Sequence, residues 1–263
     1  MRKHFSWVTM AVFFFSATIL SWKSDGANRL VSVRKNVNFT PKELFDQYVN
    51  TLYQAAQLQQ AGLAFDVFEK AVTGYTNLKL NHVVPENSSV LTVIDFTRSS
   101  REKRMWIVDL LNRQLLMNTW VAHGSGSGDE MANSFSDRND SHQSSLGFYV
   151  TDKPYIGKHG RSLYLDGMDE GFNSSARMRS IVLHGANYVS QAAINEQGFL
   201  GRSFGCPAVS PKLVNKIINT IEGKTVMFIN GNDMSYTSKY LDEAGPFSLM
   251  ANADTTAFDS VKF

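Results

Sequence analysis

Two short stretches, SIVLHG at residues 180–185 and GRSFGCPAVS at residues 201–210, carry the features on which the fold prediction depends. The first is an apolar strand pattern that ends in a histidine and a glycine. The second holds the single cysteine of the chain, Cys206, between Gly205 and Pro207. Glycine permits sharp backbone bends and proline cannot donate to a sheet ladder, so the chain leaves regular structure around this thiol.

Cys206 has the surroundings of a reactive thiol rather than those of a core cysteine. Arg202 adds positive charge, which favours the nucleophilic thiolate. A cysteine nucleophile also needs a base, usually a histidine. His184 fits this role best because it ends an apolar strand, and a rigid element is a good place for a catalytic group. The alternatives are an inert buried thiol, an intermolecular link through the thiol, and a core histidine bonded to backbone.

The other histidines differ in their surroundings. His123 and His159 are each followed by glycine and are expected to line a cleft, whereas His82 and His142 are expected to be exposed loop residues. The histidines show neither H-x-H nor H-E-x-x-H spacing, so the sequence predicts no metal site and no cofactor.

The rest of the chain between residues 90 and 230 contains short runs of β-branched and aromatic residues that are broken by turn residues. This pattern predicts an all-β core rather than an alternating βα fold. The predicted strands share this composition and cover residues 90–96, 104–110, 114–123, 145–151, 161–167, 180–185 and 225–230.

A few helices accompany these strands. Thr40 and Glu43 form a capping-box pattern around Pro41, so a helix is predicted to begin there. A second helix is predicted over 63–75, with glycines at its two ends, and a third follows Ser210.

Composition narrows the class of protein. The chain has 263 residues, a net charge of +2 and 43% hydrophobic residues, which is ordinary for a globular protein. No basic stripe or arginine-rich arm is present, so nucleic acid is not a predicted partner. A single cysteine cannot pair within its own chain, so stability is expected to come from a packed core.

The N-terminus has the pattern of an export signal. Basic residues in MRKH precede a largely apolar run over residues 5–22, followed by the small and polar residues KSDGAN. The run is short for a membrane span and suits a secretory signal, with an uncleaved membrane anchor as the alternative. A periplasmic or otherwise exported location is therefore expected.

Together these motifs resemble the catalytic domain of the murein L,D-transpeptidase family (YkuD-type), which carries HG…S-x-G-C. His184 and Gly185 match the first part, and Ser203, Gly205 and Cys206 match the second. The segments VAHGSGSG, SSLGFYVT, GKHGRSLYLDG and RSIVLHGANYV extend the resemblance over about residues 40–240.

Two positions depart from the family pattern. The family often has histidine before the Gly-Cys pair and Ile/Val-Arg after it, whereas Phe204 and Pro207-Ala208 stand there in this chain. These departures put in doubt the substrate contacts that those residues make elsewhere in the family.

The resemblance implies a mainly-β fold, an L,D-transpeptidase-like β-sandwich with a few helices and an N-terminal helical segment. It implies Cys206 as nucleophile and His184 as base, with the backbone carbonyl of Gly185 orienting the imidazole. The backbone N–H groups of Gly205 and Cys206 are the candidates to hold an oxyanion. The predicted substrate-binding residues are Ser203, Arg202, His123 and His159.

The implied substrate is the peptidoglycan stem peptide. The predicted reaction cleaves the diamino acid–D-Ala bond of a tetrapeptide stem through a thioester and transfers the acyl group to an amine, forming a 3→3 cross-link. An L,D-carboxypeptidase that hydrolyses the same bond is one alternative, and a non-catalytic cell-wall-binding protein is the other. The sequence leaves the acyl acceptor and the oligomeric state open.

The predicted organisation has five parts. They are a signal peptide or anchor (1–27), a linker (28–39), a helical segment packed on the catalytic domain (40–80), the catalytic domain (83–232) and a C-terminal tail (233–263).

Overall fold

The structure, a computed structural model, describes residues 39–252. The predicted signal or anchor, the linker up to residue 38 and the end of the tail lie outside the described residues. Within them the helices are α1 (Pro41–Ala55), α2 (Phe65–Leu80), α3 (Gln191–Gln197), α4 (Val214–Ile221) and α5 (Ala244–Asn252). None of these described helices is long and apolar enough to cross a membrane.

The strands form one mixed sheet in the order β3-β2-β1-β8-β4-β5-β6-β7. Their bounds are β1 (Val90–Asp95), β2 (Met105–Asp109), β3 (Gln114–Thr119), β4 (Gly147–Gly157), β5 (Gly160–Gly167), β6 (Val182–Gly185), β7 (Ala208–Val209) and β8 (Val226–Asn230). The β1/β8 and β6/β7 pairs are parallel, and the others are antiparallel.

The two edges of this sheet meet. Ala122, just after the edge strand β3, exchanges backbone hydrogen bonds of 2.8 and 3.3 Å with Ala208 of the opposite edge strand β7. The sheet therefore curls into a nearly closed barrel-like sandwich. The predicted mainly-β fold with N-terminal helices is confirmed.

The central strands are covered on both faces, which explains their continuous apolar sequences. In β8, Val226 and Phe228 pack into the core shared with α1 and α2, while Met227 and Ile229 pack into the core shared with α4. Strand β2 alternates in the same way.

The first helix begins as its capping box predicts. The Thr40 hydroxyl accepts from the Glu43 N–H at 3.2 Å, and the Glu43 carboxylate accepts from the Thr40 N–H at 2.7 Å. These bonds satisfy two backbone donors that the helix itself leaves free.

The second helix is longer than predicted and passes through Gly74. A Cβ on Gly74 would lie 1.9 Å from Cζ of Phe148 in β4. The glycine therefore serves close packing on the sheet rather than helix termination. Helix α5, within the predicted C-terminal tail, packs against α1 and α2.

Candidate active site

The parallel pairing of β6 and β7 brings the predicted nucleophile to the predicted base. His184 of β6 and Ala208 of β7 are register partners. Cys206 lies two residues before Ala208, so it falls beside Val182, two residues before His184. The Val182 N–H accordingly donates to the Cys206 Sγ at 3.4 Å.

The Cys206 thiol is half-buried and protonated at rest. Its S–H donates to the Ser180 carbonyl at 3.7 Å. Burial raises the pKa of the Cys206 thiol, while the Val182 N–H and the positive charges of Arg179 and Lys158 act in the opposite direction. The thiol therefore needs a base before it can react as thiolate.

His184 is held in the tautomer that such a base requires. Its Nδ1 lies 3.0 Å from the Gly185 carbonyl oxygen, which can only accept, so the proton is on Nδ1 and the lone pair is on Nε2. Burial lowers the pKa of His184, and the nearby His159 and Lys158 lower it further, against the effect of the Gly185 carbonyl. The imidazole is therefore neutral and able to accept a proton at pH 7.

The loop before Cys206 is fixed by two serines. The Ser203 hydroxyl donates to the Cys206 carbonyl at 2.6 Å and accepts from the Gly205 N–H at 3.1 Å. The Ser144 hydroxyl donates to the Gly205 carbonyl at 3.1 Å. Gly205 has a φ of +117°, and a Cβ there would lie 2.8 Å from the Gln143 carbonyl oxygen, so glycine is required.

One of the predicted oxyanion donors has a competing hydrogen bond in the structure. The Gly205 N–H, predicted as an oxyanion donor, is already bonded to Ser203. The hydrogen bonds of residues 39–252 include none from the Cys206 N–H, which therefore stays the better oxyanion candidate.

A cavity of about 420 Å³ opens beside the thiol. The residues predicted from the sequence that line it are Cys206, His184, His159, Arg202 and Ser203. Residues that the sequence analysis did not assign to the site also line it, namely Tyr155, Lys158, Arg179 and Tyr188. Phe204, noted above as a departure from the family pattern, lines it as well.

His123 lies away from this lining. Its Nδ1 accepts from the Arg104 guanidinium at 2.7 Å, and its Nε2–H donates to the Gly128 carbonyl at 3.2 Å. Burial and the Arg104 charge lower the pKa of His123 to about 4. Only its backbone reaches the site loop, because its carbonyl accepts from the Ser203 N–H at 3.0 Å. The geometry gives no support to a substrate contact for its ring.

The positive charge near the thiol comes from a different arginine than predicted. Arg202 lines the cavity and its guanidinium pairs with the exposed Asp129, whereas the charges that act on the thiol are those of Arg179 and Lys158. The Arg179 side chain keeps only 3% exposure, lies 3.7 Å from the carboxylate of Asp137, and donates to the carbonyls of Ser136 and Gln143 at 2.8 Å each. Arg179 thus attaches the 136–145 loop to the segment that holds the thiol.

The predicted exposure of His142 is confirmed, but the ring is not isolated. It stacks on the ring of Phe204, with centroids 4.3 Å apart and planes 18° from parallel. The pair lines one wall of the cavity next to Cys206. Nothing in the local sequence of His142 indicates this contact, because the two residues meet only through the fold.

Residues 39–252 contain no group of three or more His, Cys, Asp or Glu side chains placed to hold a metal ion.

The chain was compared with known proteins and solved structures. No curated protein matches this chain. The solved structures that it matches include an L,D-transpeptidase from Mycobacterium smegmatis, at 11% identity and a TM-score of 0.33, with 55% of this chain and 59% of that one covered. The chain thus spans about three fifths of that structure.

Two further solved structures are similar at the same low identity. An L,D-transpeptidase (Yku) from Stackebrandtia nassauensis matches at 12% identity and a TM-score of 0.35, with 72% of this chain and 78% of that one covered. The helical cell shape determining protein Pgp2 from Campylobacter jejuni matches at 11% identity and a TM-score of 0.37, with 68% and 62% covered.

The match to a protein family covers much more of the chain than the residues that line the cavity. The YkuD_2 family, described as L,D-transpeptidase catalytic domain, matches residues 59–230, which is more than half of the sequence and includes every site residue described above. The chain therefore belongs to the YkuD_2 family of L,D-transpeptidase catalytic domains.

Proposed function

We propose that this protein is a peptidoglycan L,D-transpeptidase that uses Cys206 as its nucleophile. One observation carries the proposal: the Cys206 thiol and the His184 imidazole line the same cavity, and the Gly185 carbonyl holds the imidazole as a base. The substrate class follows from family membership, since the family acts on peptidoglycan stem peptides.

The first step transfers a proton from the Cys206 thiol to Nε2 of His184. The thiolate then attacks the carbonyl of the third stem residue, a diamino acid, and forms a carbon–sulfur bond. As the tetrahedral intermediate collapses, the carbon–nitrogen bond breaks. D-Alanine leaves as an amine that takes its proton from the imidazolium, and a thioester stays on Cys206.

The oxyanion of that intermediate needs donors that are already in place. The Cys206 N–H is adjacent to the thiol and is not committed within the described residues. The charges of Arg179 and Lys158, which already act on the thiol, stabilise negative charge at the same place. These groups supply the electrostatic part of the mechanism.

The second step transfers the acyl group to an amine of a neighbouring stem, which restores the thiol and forms a 3→3 cross-link. Water as the acceptor gives the L,D-carboxypeptidase reaction from the same thioester. Peptidoglycan lies outside the cytoplasm, so we place the protein there, in line with its basic-then-apolar N-terminus. A reporter active only after export, fused behind residue 35, tests that placement.

Mass spectrometry of muropeptides tests the reaction. Purified protein incubated with disaccharide tetrapeptides is expected to consume them and to form dimers linked 3→3. Cys206→Ala is expected to form none, whereas His82→Ala, at an exposed histidine outside the cavity, is expected to match the unaltered protein.

The product pattern separates the alternatives. Tripeptides without dimers identify the hydrolase instead of the transpeptidase. Unchanged tetrapeptides with the unaltered protein reject catalysis on this substrate and leave the cell-wall-binding alternative.

A further inference from the structure

Two imidazoles stack at the mouth of the site. The rings of His159 and His184 have centroids 4.2 Å apart and planes 23° from parallel. His184 is buried with 2% exposure, whereas His159 is exposed on its other side. One face of the proposed base is therefore covered by a second histidine.

The β4–β5 hairpin places His159 there. Gly157 and Gly160 are register partners at the hairpin end, and Lys158 and His159 form the turn between them. Gly160 adopts a φ of +75°, which the turn needs and glycine permits. Further along β5, Ser162 pairs with His184 itself, so the hairpin returns directly over the imidazole.

His159 has no evident structural reason to be an imidazole. The hydrogen bonds of residues 39–252 include none to its ring, and the aromatic contact found for it is the stack on His184. A ring stack does not itself require an imidazole, because other aromatic side chains make the same kind of contact.

His184 needs a second constraint. Its hydrogen bond to the Gly185 carbonyl is a single contact at Nδ1, which by itself holds the ring only weakly against rotation about the Cβ–Cγ bond and away from that carbonyl. Small tilts move Nε2 relative to the thiol, and misplacement of about 1 Å can cost on the order of 100-fold in rate.

We propose that His159 is a positioning residue, whose stacked ring fixes the plane of His184 and thereby directs Nε2 at the proton of Cys206. This inference rests on the proposed function for its catalytic meaning. The stack itself acts on the orientation and tautomer of His184, which can be measured without substrate. An aromatic ring at position 159 is what the role requires.

The experiment compares His159→Ala with His159→Phe, with His82→Ala as the control histidine. Nitrogen-15 NMR of the imidazoles at pH 8 reports the tautomer of His184. We expect one tautomer, protonated on Nδ1, in the unaltered protein and in His159→Phe and His82→Ala. In His159→Ala we expect a mixture of tautomers, because the ring is free to tilt away from Gly185. Far-ultraviolet circular dichroism checks that all variants are folded.

Release of D-alanine from a tetrapeptide stem supplies the catalytic readout. We expect kcat to fall about 10-fold in His159→Ala with KM changed less than about twofold, and to recover in His159→Phe. A folded His159→Ala that keeps a single Nδ1–H tautomer and full kcat overturns the inference. So does a His159→Phe variant as impaired as His159→Ala.

The two proposals fail separately. If the unaltered protein releases no D-alanine, the proposed function fails, and the tautomer measurement still decides whether His159 positions His184. If release is normal and the tautomer is insensitive to position 159, only the positioning role is lost.

Discussion

His123 and His184 are both buried histidines, but their ring nitrogens have different partners. The His123 ring accepts from Arg104 and donates to Gly128, so both nitrogens are occupied. The His184 ring donates from Nδ1 to Gly185 and keeps its Nε2 lone pair available for the cavity. Burial alone therefore does not distinguish these two histidines, whereas the partners of their ring nitrogens do.

The buried state of His123 predicts a pH dependence of stability. Its pKa is about 4 in the folded protein, against an ordinary value of 6.5. Between these values the unfolded chain binds more protons, so the free energy of unfolding falls as the pH is lowered. The full loss is on the order of 3 kcal/mol and is complete below about pH 4. Urea unfolding at pH 7.5, 6.5, 5.5 and 4.5 measures it.

A variant that cannot titrate is the control for this prediction. His123→Asn is expected to be less stable at pH 7.5 but to lose less free energy of unfolding between pH 7.5 and 4.5. Some loss is expected to remain, because burial also lowers the pKa of His184. His82→Asn is expected to keep the full pH dependence. Equal slopes for His123→Asn and the unaltered protein would contradict the assignment.

Helix α2 packs closely against strand β4 at a glycine. Gly74 lies inside α2, where alanine is normally favoured by about 1 kcal/mol. The Phe148 ring occupies the place of a side chain, however, and it is itself stacked on Phe228 with centroids 4.5 Å apart. The ring therefore has little freedom to move aside.

Gly74→Ala is expected to destabilise the protein by about 1–3 kcal/mol. Alanine is the better helix former, but the clash of its Cβ with the Phe148 ring is expected to outweigh that gain. Thermal unfolding measures the change. Gln47→Ala, on the exposed face of α1, is the matched helix control and is expected to stay within about 0.5 kcal/mol of the unaltered protein. A higher melting temperature for Gly74→Ala would contradict the packing argument.

Some elements were readable from sequence and others were not. The runs over 90–96 and 225–230 were predicted within a residue or two of β1 and β8, because strands covered on both faces are continuously apolar. Strand β7 has two residues, which is too few to show the alternation of apolar and polar side chains by which a strand is predicted from sequence. Strand β4 continues past Pro154 through a register shift, whereas a proline normally argues against a strand interior.

The whole fold assembles the candidate site, so the site could be predicted only partly from the sequence. The sequence points to Cys206 and His184 as candidates because their residue types and local patterns are those of a nucleophile and a base, and the structure places both beside one cavity. Arg179 was missed because its role comes from contacts with the 136–145 loop, which the local sequence does not indicate. The stack of Phe204 on His142 was missed for the same reason.

The central claim is that Cys206 carries the acyl group, and mass mapping of quenched protein tests it most directly. After mixing with a tetrapeptide stem, we predict a tripeptide thioester on the fragment that contains Cys206, formed together with free D-alanine. His184→Ala is predicted to form it at least about 100-fold more slowly, because the protonated thiol has lost its base. Undiminished D-alanine release by Cys206→Ala, or an adduct on another residue, would contradict the mechanism.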